Sequence, residues 1–128
     1  NSIMLGLNLR IPVTIYPAIV KQKLNDSILD YQNLELTFND EKAALYIPKN
    51  DALVTTLCSI FNEVTGQDAE PITCAGATYA RAFKNVVSYG CNMPGNMDMC
   101  HQADEFVDIK DLFTSIEIYI RAIQKLAE

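Results

Sequence analysis

Ile3-Met4-Leu5-Gly6-Leu7-Asn8-Leu9-Arg10-Ile11 (residues 3–11) alternates: Ile3, Leu5, Leu7, Leu9 and Ile11 point one way, and Met4, Gly6, Asn8 and Arg10 point the other. A period of two sustained over this stretch predicts a half-buried strand. Downstream, Thr14 is the expected cap of a helix that tolerates Pro17 in its first turn and carries an apolar stripe of Tyr16, Val20, Leu24 and Ile28, ending near Asp30. Leu34, Leu36 and Phe38 alternate with Asn33, Glu35 and Thr37, which predicts a second strand. Asn39-Asp40 reads as a turn, and Ala43–Ile47 as a third strand. Strand, helix, strand, strand is half of a small α+β sandwich.

Pro48-Lys49-Asn50 marks a change of character. Asn50 or Asp51 caps a helix whose apolar positions are Leu53, Val54, Leu57, Ile60, Phe61 and Val64, and Gly66 stops it. Pro71–Cys74 predicts a short strand. Ala75-Gly76-Ala77-Thr78 predicts a tight turn into a brief helical segment through Phe83, and Val86–Tyr89 another strand. A Gly-, Pro- and Asn-rich loop covers Gly90 to His101. Asp108 caps the last helix, with Asp111 at capping-box spacing and a stripe of Leu112, Phe113, Ile116, Tyr119, Ile120, Ile123 and Leu126. Strands alternating with helices predict an α/β layer for this second half.

The 128 residues are 49% hydrophobic and 20% charged, which excludes a disordered tail. Sixteen acidic against ten basic residues give a net charge of −6, and no basic stripe is present, so a nucleic-acid partner is not expected. No apolar run approaches the roughly 18 residues that span a bilayer, and no segment resembles a signal peptide. Cys58, Cys74, Cys91 and Cys100 form no C-x-x-C pair, and the reading is of reduced thiols in a cytoplasmic protein with no membrane partner. The chain opens at Asn1 inside a strand-like pattern, without an initiator Met, as a piece of something longer would.

Few residues carry chemistry. His101, the single histidine, lies among Asp98, Cys100, Asp104 and Glu105. Imidazole with nearby carboxylates suits zinc, and the alternative is a partly exposed histidine without a special role. A closed site from Cys91, Cys100 and His101 lacks a fourth ligand. Arg10 shares the polar face of the first strand with Asn8, where a guanidinium can clamp a carboxylate; the alternative is a surface arginine at a sheet edge. Small residues at 75–78 let a ligand approach backbone N–H groups, or let two elements pack closely with Arg81 in an internal ion pair. Met93, Met97 and Met99 either face a pocket or fill gaps over a small core. Glu117 and Arg121 are a solvent-face helical pair. No serine or cysteine has a base beside it, so no residue of this chain is assigned as catalytic.

Three stretches together resemble the C-terminal part of the M20 family of zinc peptidases, in its bacterial dipeptidase branch related to carnosinase. Asn8-Leu9-Arg10-Ile11-Pro12 is similar to the family's lid strand, usually N-[IVL]-R-Y-P. Ala75-Gly76-Ala77-Thr78-Tyr79-Ala80-Arg81-Ala82 is similar to its G-G-G-T-Y-A-R-A turn. Tyr89-Gly90 through Pro94-Gly95, then Asp98 and His101-Gln102-Ala103-Asp104-Glu105, looks like its F-G-x-x-x-P-G…D-x-x-H-Q-x-[ND]-E segment. The resemblance implies an α/β (α+β) fold: residues 1–46 as the end of a ferredoxin-like lid, and residues 47–128 as the end of a zinc-bearing catalytic domain. It implies His101 as a ligand of one of two zinc ions, and Arg10 as a clamp on the carboxylate of a dipeptide substrate. Gly76, Ala77 and Thr78 would offer backbone or hydroxyl groups to that substrate. Ala75 and Ala77 stand where the family has glycines, so a positive φ at either would be strained. The family's other ligands and its glutamate lie in a half that these 128 residues do not include. The chain alone is therefore expected to be inactive, to bind zinc weakly or not at all, and to self-associate. The rival expectation is a non-catalytic α/β interaction or regulatory domain on the same scaffold.

Overall fold

The computed structural model describes residues 2–39, 41–74, 76–90, 93–95 and 100–128. The chain divides into two compact units, Asn1–Tyr46 and Ile47–Glu128.

The first unit holds α1 (Pro17–Ile28). Its start is two residues later than the Thr14 cap: Tyr16 is the N-cap and Pro17 the first helical residue, where a fixed φ and a missing N–H cost nothing. Val20, Leu24 and Ile28 are half-buried along one side, while Tyr16 stays exposed. Lys21 ties the helix to the following segment, pairing with Glu41 and standing 5.6 Å from the centre of the Phe38 ring.

Among the described residues no strand forms, and this corrects the α/β (α+β) expectation with its ferredoxin-like lid. Residues 3–11, 34–38, 43–47, 71–74 and 86–89 form no paired ladder. The physical reason is that alternation fixes which side chains share a face, whereas a strand exists only when another segment satisfies its N–H and C=O groups. Ile3, Leu5, Leu7 and Leu9, the predicted inner face, are 99, 81, 66 and 50% exposed. A helix closes its hydrogen bonds within itself and needs no such neighbour.

The second unit is built on two helices that pack against each other, α2 (Ala52–Thr65) and α3 (Ile109–Leu126). Asp51 caps α2 by accepting the Leu53 N–H at 2.9 Å, and Gly66 ends it at φ +69 with its N–H on Asn62 O at 2.8 Å. That left-handed C-terminal position is the one place in the unit where glycine's freedom closes a helix. Asp108 caps α3 by accepting from Lys110 N at 2.7 Å. A short 3-10 helix, Tyr79–Ala82, stands between them. Leu57, Ile60, Met93, Ile118 and Ala122 form the buried cluster, and Leu53, Phe61, Val64, Val87 and Tyr89 pack around it. Met93 is thus a core filler, whereas Met97 and Met99 lie outside the described residues. Two tyrosines fasten the rim. The Tyr89 hydroxyl donates to Leu57 O at 2.9 Å, the Tyr119 hydroxyl to Tyr89 O at 3.0 Å, and the two rings meet edge to face at 6.0 Å.

Ile118→Ala, which empties a site only 4% exposed, is expected to lower unfolding free energy by about 2–5 kcal/mol in urea titrations. Burial first, then the neighbouring Cys58 and Tyr119, push the Tyr89 hydroxyl up to about 12. The unfolded chain releases that proton near pH 10 while the folded chain keeps it, so this contribution is intact below about pH 10 and is lost as pH rises toward 12. Urea midpoints are expected to fall more steeply over that window in the parent chain than in Tyr89→Phe.

Candidate functional site

Arg10 lies in the first unit and is exposed; Gly76, Ala77, Thr78 and His101 lie in the second. The small-residue turn leads into the 3-10 helix because Thr78 is its N-cap. Thr78 has extended backbone (φ −124, ψ 167), and its hydroxyl accepts the Ala80 N–H at 3.3 Å. The same hydroxyl shares a 2.8 Å hydrogen bond with Ser88 Oγ. Sequence reasoning passes over Ser88, whose one signal is its place beside the core residues Val87 and Tyr89. Arg81 occupies the last turn of the 3-10 helix, where a cation faces the carbonyl end.

Gly76 folds back on the preceding cysteine. Its N–H donates to Cys74 Sγ at 3.2 Å, and a Cβ on Gly76 would sit 3.1 Å from that sulfur. Glycine's use here is close approach. Ala77 keeps an ordinary backbone: among described non-glycine residues, positive φ occurs at Asn85, His101 and Asp104. Alanine in place of the family's glycine at 77 is therefore unstrained, while Ala75 lies outside the described residues.

His101 is exposed and left-handed, with φ 63, and Asp104 follows at φ 60. Both residue types tolerate that region better than most. Glu105 holds the loop by accepting the His101 backbone N–H on Oε2 at 3.0 Å. Asp98 and Cys91 lie outside the described residues. Among the described residues, no group of three or more His, Cys, Asp or Glu converges to hold a metal ion. A concavity of about 570 Å³ does lie between α2 and α3, lined by Thr55, Ser59, Glu63, Arg121 and Lys125, and none of the candidate residues lines it. Its cations are already engaged: Arg121 with Glu117 at 2.6 Å and Lys125 with Glu128 at 2.6 Å. No helix among the described residues is long and apolar enough to cross a membrane.

The cysteines differ in environment. Cys58, on α2, is a half-buried thiol that burial and, second, the Glu70 carboxylate push up from its ordinary value, whereas Cys74 is an exposed thiol. Thiolate is the reacting form. With limiting iodoacetamide at about pH 8, peptide mass spectrometry is expected to find Cys74 alkylated at least tenfold faster than Cys58.

A family model described as "Peptidase family M20/M25/M40" matches residues 4–125. "Putative dipeptidase YtjP" of Bacillus subtilis (strain 168) is 35% identical over 125 residues, which is 97% of this chain and 26% of that protein. "Putative dipeptidase SAR1836" of Staphylococcus aureus (strain MRSA252) is 30% identical over 126 residues, 98% of this chain and 27% of that protein. The chain thus spans about a quarter of the length of the curated relatives it matches. No solved structure matches it.

Proposed function

The chain belongs to peptidase family M20/M25/M40, and from that membership we propose that it is a portion of a cytoplasmic dipeptidase that hydrolyses the peptide bond of a dipeptide with two zinc ions. The observation that carries this reading is the match along residues 4–125 together with relatives named dipeptidases over nearly the whole chain. In this reading His101 contributes one ligand to one zinc ion. Arg10 engages the carboxylate of the substrate, and Gly76, Ala77 and Thr78 bind its backbone. Zinc, when bound, supplies an acidified water and a polarised carbonyl.

The described residues do not fit a complete zinc site. Catalytic zinc takes about three protein ligands and an open position, and around His101 no such set converges among them. What these residues do is narrower. Thr78 presents a hydroxyl held in place by Ala80 and Ser88, and the Glu105 carboxylate fixes the backbone that carries the imidazole. A guanidinium at position 10 offers a planar fork that matches a carboxylate, which favours substrates with a free C-terminus close to the scissile bond.

The isolated chain is expected to hydrolyse no dipeptide in a panel assayed with added zinc; metal-dependent turnover by the chain alone would contradict the reading. In the longer protein, His101→Ala is expected to lower zinc content and abolish hydrolysis. Unchanged zinc content would remove the ligand assignment and leave a non-catalytic domain as the better account. Arg10→Ala is expected to cost about 2–5 kcal/mol in kcat/KM on free dipeptides and much less on C-terminally amidated ones, which bring no charge to the clamp. Arg10→Lys is expected to recover part of the loss. Equal losses on both substrate types would make Arg10 structural.

A further inference from the structure

Val87 and Tyr89 both pack against the buried cluster, and the residue between them, Ser88, is left exposed. Its backbone is held from the Tyr89 side. The Tyr89 hydroxyl donates to Leu57 O at 2.9 Å, and Tyr89 O accepts the Tyr119 hydroxyl at 3.0 Å. Thr78 lies ten residues earlier, in a turn of small residues, and is also exposed. Ser88 is therefore the anchored member of the 2.8 Å hydroxyl pair, and Thr78 the member that it steadies.

A threonine hydroxyl has one proton to donate and two lone pairs with which to accept. The Ala80 N–H already occupies one lone pair of Thr78. Two arrangements of the pair remain, since either hydroxyl can be the donor. With Ser88 donating, both Thr78 lone pairs are filled and the Thr78 proton is left over for an outside acceptor. With Thr78 donating, the proton left over belongs to Ser88.

We propose that Ser88 fixes the direction of the Thr78 proton, so that the pair receives an acceptor oxygen, carbonyl or carboxylate, of the bound substrate. The proposal rests on the dipeptidase reading, in which Thr78 touches that substrate. An acceptor oxygen beside Thr78 selects the arrangement in which Ser88 donates, because that arrangement alone leaves the Thr78 proton free. A hydroxyl that accepts is also polarised and donates more strongly. Without Ser88 the Thr78 O–H turns among several orientations, and its second lone pair is open. Ser88 is in this account a positioning residue that acts through Thr78.

The test uses the longer protein with zinc supplied. Ser88→Ala is expected to lower kcat/KM on dipeptides about three- to tenfold, the contribution of one neutral hydrogen bond. Ser88→Thr, which restores a hydroxyl, is expected to recover most of that loss. Thr78→Val removes the hydroxyl that meets the substrate and keeps the shape of the side chain. In the Thr78→Val background, Ser88→Ala is expected to add no further loss, because the two changes break one path. Free and C-terminally amidated dipeptides identify the acceptor: a carboxylate gives the larger Ser88→Ala loss on the free ones, a peptide carbonyl the same loss on both, and each result supports the proposal. Ser88 is exposed, so far-UV circular dichroism and the urea midpoint are expected to match those of the parent. An unchanged kcat/KM in Ser88→Ala overturns the proposal, as does a loss that persists at full size beside Thr78→Val, or a collapse of the fold in Ser88→Ala. Any of these in an active parent leaves the dipeptidase reading standing, whereas a parent that hydrolyses no dipeptide overturns both.

Discussion

The packing of Leu57 and Ile60 on α2 with Ile118 and Ala122 on α3 is the contact from which the second unit is organised. Each buried leucine or isoleucine withdrawn from water contributes about 1.5–3 kcal/mol, and the Thr78 turn is tied to this cluster through Ser88 and Tyr89. Met93 closes one side of it from the loop after Tyr89. Asn62 extends its reach in another direction: its side-chain amide donates to Ala69 O and its carbonyl accepts Ala69 N–H, at 3.1 and 2.8 Å, clamping the chain as it leaves α2.

The two candidate loops are held in different ways. Thr78 is linked to the buried cluster stepwise: its hydroxyl meets Ser88, Ser88 adjoins Tyr89, and the Tyr89 hydroxyl donates to the Leu57 carbonyl in the core. His101 is held locally, through the carboxylate of Glu105 four residues along. The Thr78 turn is thus joined to the core by two hydrogen bonds and the peptide link between Ser88 and Tyr89, while the conformation of the His101 loop depends on a bond within the loop itself. Ser88 matters to this arrangement as much as the threonine does.

What could be read in the sequence follows from which interactions are local. α2 and α3 were legible because their caps, Asp51, Gly66 and Asp108, and their 3.6-residue periodicity act within the element. The start of α1 departs from the sequence pattern because Thr14 has the side chain of a cap, whereas the ring of Pro17 sets where helical backbone begins. The expected strands are absent among the described residues for a different reason. Alternation such as Ile3 to Ile11 encodes a face and leaves the pairing partner unspecified, and no described segment supplies one. At the candidate site, the residue types at 76, 78 and 101 were legible. The left-handed backbone of His101 and the Thr78–Ser88 bond were not, since both arise from contacts across a loop or between segments.

The turn at 76–78 separates two demands that a run of glycines confounds. A glycine can be present because φ is positive, or because another atom lies where a Cβ would be. At Gly76 the issue is space: a Cβ would sit 3.1 Å from the Cys74 sulfur, a close contact that the exposed cysteine side chain would have to yield to. At residue 77 the backbone keeps a φ that alanine adopts freely, so the methyl group there adds bulk without altering the path of the chain. The Thr78 hydroxyl consequently stands where its cap and Ser88 hold it, whichever of the two residues precedes it. The alanine at 77 is thus no argument against a substrate-binding turn, because the geometry that presents the hydroxyl does not pass through a left-handed residue at that position.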